Sequence, residues 1–326
     1  MLLYVLALIA GLAALYYGAE WLVNGSVDIA LRYGIRRAVI GITIVALGTS
    51  MPEFVITLIA VVENAHDLGV GNIVGSNISN IGFILGLAAL LAPIRLTPTL
   101  LRREYLLMMI VLIGFYWLIL DGQLGRVDGI VLVLALVGFL YFLFKRRRPA
   151  SEVARPAEGS GSPSNTPNRS TEHRNTMLRN LSLTLGGMVA LAAGAQAVVY
   201  GGTGIAEALG VDALIIGLSV VAIGSSLPEL AASLVSIARD EMDVSVGNIV
   251  GSNLLNIAFV MGIVAIIQPT PVSDAVVHLH APIMLGICAI LPLLAIRGGY
   301  VKRWGGAFLL LAYSSYLTML ALPYLL

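Results

Sequence analysis

Two acidic residues fall where a charge is expensive. Glu53 is the sixteenth residue of an apolar run beginning at Ala38, and Glu229 is the sixteenth of a run beginning at Leu214. An ionised carboxylate near the centre of a membrane-spanning helix costs about 2.5–3.5 kcal/mol on insertion scales. A basic partner would lower that cost, yet no Lys or Arg lies between Arg37 and Arg95 or between Arg179 and Arg239. Each glutamate is therefore either held protonated or neutralised by a bound cation. Both stand in one pattern, Gly-Thr-Ser-Met-Pro-Glu at 48–53 and Gly-Ser-Ser-Leu-Pro-Glu at 224–229. Pro52 removes a backbone donor and Gly48 permits non-helical angles, so the pattern predicts a helix break followed by a restart. Ser50 with Glu53, and Ser226 with Glu229, also have capping-box spacing. Capping alone does not need a charge at mid-membrane twice over. A break there also frees backbone carbonyls, which are tolerated at that depth only in a protein interior or a polar cavity.

A second pattern, Gly-Ser-Asn-x-x-Asn, occurs at 75–80 and 251–256 and supplies Ser76, Asn77 and Asn80 with their copies Ser252, Asn253 and Asn256. Asn77 and Asn80 are three apart and share one helical face. An amide oxygen without a partner is costly in an apolar medium, so Asn80 and Asn256 read as site residues. The serines suit close packing nearly as well, as do the neighbouring glycines. Together the two patterns offer two carboxylates, several hydroxyls, four amides and freed carbonyls. An all-oxygen set suits a hard cation such as Ca²⁺, whereas zinc or copper would want imidazole or thiolate. Of the four histidines, His66 and His173 lie in loops, and His278 and His280 flank the end of a span. Two carboxylates balance one divalent ion or two monovalent ones, the equivalence that exchange of Ca²⁺ against Na⁺ or H⁺ requires.

The elements that must hold these groups are membrane helices. Of 326 residues 58% are hydrophobic and 11% are charged, with a mean hydropathy of +0.94, against about 25% charged in soluble domains. Net charge is +1, without the basic stripe of a nucleic-acid binder. The single cysteine, Cys288, excludes an internal disulfide framework and a Cys-based zinc cluster. Apolar segments suited to spanning fall at 2–23, 38–62, 70–92, 104–120 and 127–144, then at 180–206, 213–237, 246–268, 276–296 and 305–325. The first lacks a basic leader and reads as a span, not a cleaved signal. The expected organisation is thus an all-α integral membrane protein of ten helices: a first five-helix repeat at 1–144, a disordered cytoplasmic linker at 145–179, and a second repeat at 180–326. With the linker inside, 18 of the 19 Lys and Arg residues fall on the cytoplasmic side and both termini lie outside. The halves are related: an offset of 176 lays 41–93 over 217–269 with 23 of 53 positions identical. Five spans per half is an odd number, so the second copy enters from the opposite side. Such an inverted-topology repeat places one site near the midplane of a secondary transporter.

In these two motif pairs the chain resembles the sodium/calcium exchanger family of the cation/Ca²⁺ antiporter superfamily, in its prokaryotic type with two alpha-repeats, over all ten spans. The resemblance implies a plasma-membrane antiporter without a cofactor, with broken helices two, three, seven and eight forming the ion sites. It implies Glu53, Glu229, Thr49 and Ser225 as Ca²⁺ ligands. It further implies Ser50, Ser76, Asn80, Ser226, Ser252, Asn256 and the carbonyls of Ala46 and Ala222 as additional Na⁺ ligands. Spans one and six would slide as a gate. The chain departs from some microbial relatives in carrying Asn256 where they have an aspartate, and it lacks the large cytoplasmic sensing region of animal members. An H⁺/Ca²⁺ antiporter is the nearest alternative and a cation channel a more distant one. A membrane enzyme is disfavoured, since no nucleophile–base pair is evident. The expected partners are Ca²⁺, Na⁺ and the lipid bilayer, with no nucleic acid and no protein partner.

Overall fold

The computed structural model describes residues 1–145, 169–210, 224–295 and 299–325. It is nearly all helix. In chain order α1 is Leu2–Arg32, α2 Arg37–Thr49, α3 Met51–Val62, α4 His66–Leu91, α5 100–118, α6 Arg126–Lys145, α7 Arg169–Ala208, α8 Leu227–Ala238, α9 Met242–Ile267, α10 Val276–Ala295 and α11 Arg303–Leu325. Among the described residues seven helices are long and apolar enough to cross a membrane, and the bent pair α2–α3 makes an eighth. Helix α8 is the described part of the seventh expected span; 211–223, which would complete it, lies outside the described residues.

Three expectations need correction. The first run does not end near residue 23: α1 continues to Arg32 because no proline intervenes, and Gly34 at φ +63° then closes it. The expected linker is helical from Arg169 onward, since no Pro or Gly occurs between Pro167 and Gly186; residues 146–168 lie outside the described residues. Finally, α4 and α9 are not broken. Neither contains a proline, so no ladder bond is removed. Each instead takes a π-helical stretch, Asn80–Leu85 in α4 and Asn256–Met261 in α9, a device common at functional sites.

The break at the first motif does occur. α2 and α3 meet at 46°, with Ser50 at the joint (φ −85°, ψ 3°) and Pro52 in the first turn of α3. Ser226 has nearly the same angles (φ −89°, ψ 4°) before Pro228 in α8.

Four two-residue strands tie the chain's halves together at opposite faces. On the face where α1 ends, here called the basic face, β1 (Ile94–Arg95) pairs antiparallel with β4 (Tyr300–Val301). On the other, N-terminal face, β2 (Gln123–Leu124) pairs with β3 (Thr270–Pro271). The main hydrophobic core joins α2–α6 and α9–α11. A second, smaller core joins α1, α7 and α8 with Ile40, Val45 and Val244. Within it α1 and α7 run antiparallel on two glycine rows spaced by sevens, Gly11, Gly18 and Gly25 against Gly187, Gly194 and Gly201. A Cβ on Gly187 would lie 2.5 Å from the backbone nitrogen of Leu22, and one on Gly194 would lie 2.9 Å from that of Leu15. The backbones are therefore in direct contact.

Candidate ion-binding site

Glu53 and Glu229, each 1% exposed, sit in the first turns of α3 and α8. Neither is paired with a basic residue, and both oxygens of Glu53 and Oε2 of Glu229 have no hydrogen-bond partner. The other Glu229 oxygen accepts from Ser50 Oγ at 3.2 Å. That bond disposes of the capping reading, because neither Ser50 nor Ser226 makes a side-chain cap; Ser226 Oγ is buried without a partner.

Thr49, fully buried, donates to Asn248 Oδ1 at 3.2 Å and approaches Ser252 Oγ at 3.4 Å. Ser76 and Ser252 are buried in the interior of α4 and α9. Ser225, in the second copy of the first motif, lies on the wall of a cavity. The Ala46 carbonyl is not freed by the break: it accepts Ser50 N–H at 2.9 Å, and the Thr49 hydroxyl lies 3.3 Å away. The reason is positional. The donor that Pro52 lacks would have served Gly48, four residues earlier, and not Ala46. Ala222 lies outside the described residues.

Where α4 crosses α9, four asparagines form a closed set. Asn77 Nδ2 donates to the Asn253 main-chain oxygen at 3.1 Å, and Asn253 Nδ2 donates to the Asn77 main-chain oxygen at 3.4 Å. Asn80 Nδ2 donates to Asn253 Oδ1 at 3.0 Å, and Asn256 Nδ2 to Asn77 Oδ1 at 3.1 Å. The Oδ1 atoms of Asn80 and Asn256 are buried with no partner.

Sequence reasoning missed a supporting layer. Asn72 Nδ2 donates to Thr57 Oγ1 at 3.0 Å and to the Glu53 carbonyl at 3.4 Å. Its copy Asn248 donates to Ser233 Oγ at 3.3 Å and to the Glu229 carbonyl at 3.5 Å. Each amide thus ties the glutamate's turn to the neighbouring helix. The signal was present, since Asn72 and Asn248 stand nineteen residues after the glutamates in both motif copies.

Buried polar atoms in folded proteins almost always have partners. Here the unpartnered ones include four oxygens of Glu53, Glu229, Asn80 and Asn256 that carry negative charge or dipole, besides the second Glu53 oxygen and the Ser226 hydroxyl. Among the described residues no three His, Cys, Asp or Glu side chains gather. This donor set therefore combines two carboxylates with neutral oxygens, which suits a hard cation and not a soft one. Beside it lies a cavity of about 670 Å³, walled by Met51, Pro52 and Ser225 of the two motifs and by Tyr4, Gln196 and Glu207 towards the N-terminal face.

The basic face is laced by ion pairs instead. Arg36 meets the buried Glu104 at 2.5 Å, Arg37 meets Glu241 at 3.0 Å, and Arg239 pairs with Glu20 of α1. Burial pushes the Glu241 carboxyl above its ordinary range even beside the Arg37 guanidinium. Glu20 thus has a specific partner, while the matching position in α7 is Gln196, on the cavity wall.

A family model described as sodium/calcium exchanger protein matches residues 3–145 and again 180–322, which is most of the chain. The chain belongs to the sodium/calcium exchanger family. The exchanger is 36% identical over 299 residues, 91% of its own length and 90% of the other's, to the inner membrane protein YrbG of Escherichia coli. It is 28% identical to the sodium/calcium exchanger MaX1 of Methanosarcina acetivorans, covering 97% of both chains. Its fold is similar to the solved structure of the sodium/calcium exchanger from Methanococcus jannaschii, with a TM-score of 0.80 at 28% identity over 97% of this chain and 98% of that one. The exchanger is accordingly a multi-pass membrane antiporter of this superfamily.

Proposed function

We propose that the exchanger moves Ca²⁺ against Na⁺ by alternating access to one all-oxygen site near the bilayer midplane. In this reading the chain is two inverted five-span halves, 1–144 and 180–326, giving ten spans with both termini outside and the intervening segment in the cytoplasm. Glu53 and Glu229, with oxygens of Thr49 and Ser225, hold Ca²⁺. Ser50, Ser76, Asn80, Ser226, Ser252 and Asn256, with the Ala46 and Ala222 carbonyls, complete the Na⁺ sites. The observation that carries the reading is the pair of buried carboxylates with unpartnered oxygens and, among the described residues, no basic partner. A cation supplies what that pair lacks, and equal charge lets one Ca²⁺ or two Na⁺ do so in turn.

The gate in this reading is the α1–α7 pair. Its support is the glycine-lined seam, the small core separate from the main one, and the cavity beside Gln196 that reaches the motif residues. The cavity's lining reaches Tyr4, Thr203 and Glu207 near the N-terminal face while Glu20 and Arg239 join on the basic face, a combination that fits an outward-facing form. Na⁺-loaded proteoliposomes diluted into radioactive Ca²⁺ test the counter-ion. Uptake should collapse when choline replaces internal Na⁺ at matched pH. Uptake that ignores Na⁺ but is abolished by a protonophore would replace Na⁺ with H⁺.

A further inference from the structure

The four asparagines at the α4–α9 crossing do two different jobs. Asn80 and Asn256 leave a buried oxygen unpartnered, whereas Asn77 and Asn253 have both ends of their amides engaged. The bonds have a direction that can be followed from the main chain outward. A backbone carbonyl only accepts, so the side of Asn77 that meets the Asn253 carbonyl must be its NH₂. Its oxygen is then forced to the opposite side, where Asn256 lies, and Asn256 must answer with its own NH₂. That leaves the Asn256 oxygen as the end turned away from the ring. The same sequence runs from the Asn77 carbonyl through Asn253 to Asn80. Turning over any one amide would set oxygen against oxygen or NH₂ against NH₂ in a place 0–1% exposed.

We propose that Asn77 and Asn253 are positioning residues of the exchanger: anchored on each other's main-chain carbonyls, they hold Asn256 and Asn80 with the amide oxygen, and never the NH₂, towards the ion. The proposal rests on the reading of Asn80 and Asn256 as ligands given above. An amide has one oxygen and one NH₂, so half of its orientations would present hydrogen to a cation. A ligand amide therefore needs a second amide behind it. A ligand carboxylate does not, because both of its ends are oxygen. The presence of Asn256 in this chain makes the demand specific to it: with a carboxylate at 256, Asn77 Oδ1 would face another acceptor, and the anchor would become a liability.

That difference supplies the test. The half-maximal Na⁺ concentration for Na⁺-driven Ca²⁺ uptake is measured in proteoliposomes for Asn77→Leu, Asn256→Asp and the double variant. Asn77→Leu alone should raise it by about tenfold or more, because the Asn256 amide is then free to turn over. In the Asn256→Asp background the same substitution should change it by less than about threefold, a non-additivity that a merely structural role would not produce. The reciprocal cycle, Asn253→Leu with Asn80→Asp, reads the same prediction at the second copy. The smaller truncations Asn77→Ser and Asn253→Ser serve if a leucine is not accepted. Equal losses in both backgrounds would overturn the positioning role. Asn256→Ala separates this from failure of the ligand reading: if it leaves Na⁺ dependence unchanged, Asn256 is no ligand, and the cycle loses its premise for that reason alone.

Discussion

Glu53→Gln tests the central argument most directly, because it separates a residue kept for folding from one kept for an ion. Both Glu53 oxygens are buried without a partner, so the ion-free protein has no hydrogen bond there to lose. Removing the capacity for charge also removes a cost of about 2.5–3.5 kcal/mol whenever the carboxylate would be ionised at that depth. The ion-free variant should therefore unfold no earlier than the parent, and by about 2 °C or more later at a pH that favours ionisation. Ca²⁺ binding should respond in the opposite sense. Two unit charges about 4 Å apart at an effective dielectric constant near 20 attract by about 4 kcal/mol, and Ca²⁺ carries two. A loss of that size weakens binding by roughly a thousandfold. The stabilisation added by Ca²⁺, which at a thousand times Kd is about 4 kcal/mol, should then nearly vanish. Thermal unfolding in detergent with and without Ca²⁺, followed by tryptophan fluorescence, reads both effects, and proteoliposome flux should be lost in parallel. An ion-free Tm lowered by several degrees with the Ca²⁺ shift intact would refute the reasoning and make Glu53 a structural residue.

Gly187→Ala should leave the Ca²⁺-dependent thermal shift in place while slowing exchange by tenfold or more, since a Cβ 2.5 Å from Leu22 N forces the α1–α7 backbones apart at about 1–3 kcal/mol. Arg239→Gln should change exchange by at most about fivefold and in a salt-dependent way, as partly exposed pairs are worth about 0–1 kcal/mol; the charge-swapped Glu20→Arg/Arg239→Glu protein should return towards parental rates in the same flux assay. Arg36→Met should lower thermal stability by about 3 kcal/mol, because it strands Glu104, whose side chain is 3% exposed, without its ion pair. The further substitution Glu104→Gln should restore most of that loss.

The site was legible to the degree that its residues break local rules. A glutamate in an apolar run, or a proline four residues after a glycine, conflicts with its surroundings on any reading, and Glu53, Glu229 and the bend at Ser50 followed from that conflict. The supporting layer breaks no such rule. Asn72 and Asn248 are ordinary polar residues until Glu53 and Glu229 arrive beside them through the fold, so they passed without notice. Capping-box spacing at Ser50 was a false lead for the same reason: a hydroxyl that can cap its own helix turned to a carboxylate 179 positions away. Helix ends were blurred wherever polarity and helicity part company, as at 169–179, where charged residues continue a helix that apolar content alone would start later. The short strands could not be read at all, since two residues carry no period.

The division into two cores has a mechanical consequence. Both strand pairs belong to the larger body, one at each face, and neither includes α1 or α7. In the proposed exchange that body would be the stator, clamped at each face, and it carries the asparagine ring and the serines of α4 and α9. Of the two glutamates, Glu229 stands on α8, which packs with α1 and α7 in the smaller core, and Glu53 on α3, whose Val61 belongs to the larger one. In the proposed exchange, an ion seated between them would rest one hand on fixed ground and one on a part that can yield. Passage from one side to the other would then ask for no rebuilding of the whole ligand set, only for a change in which wall stands open.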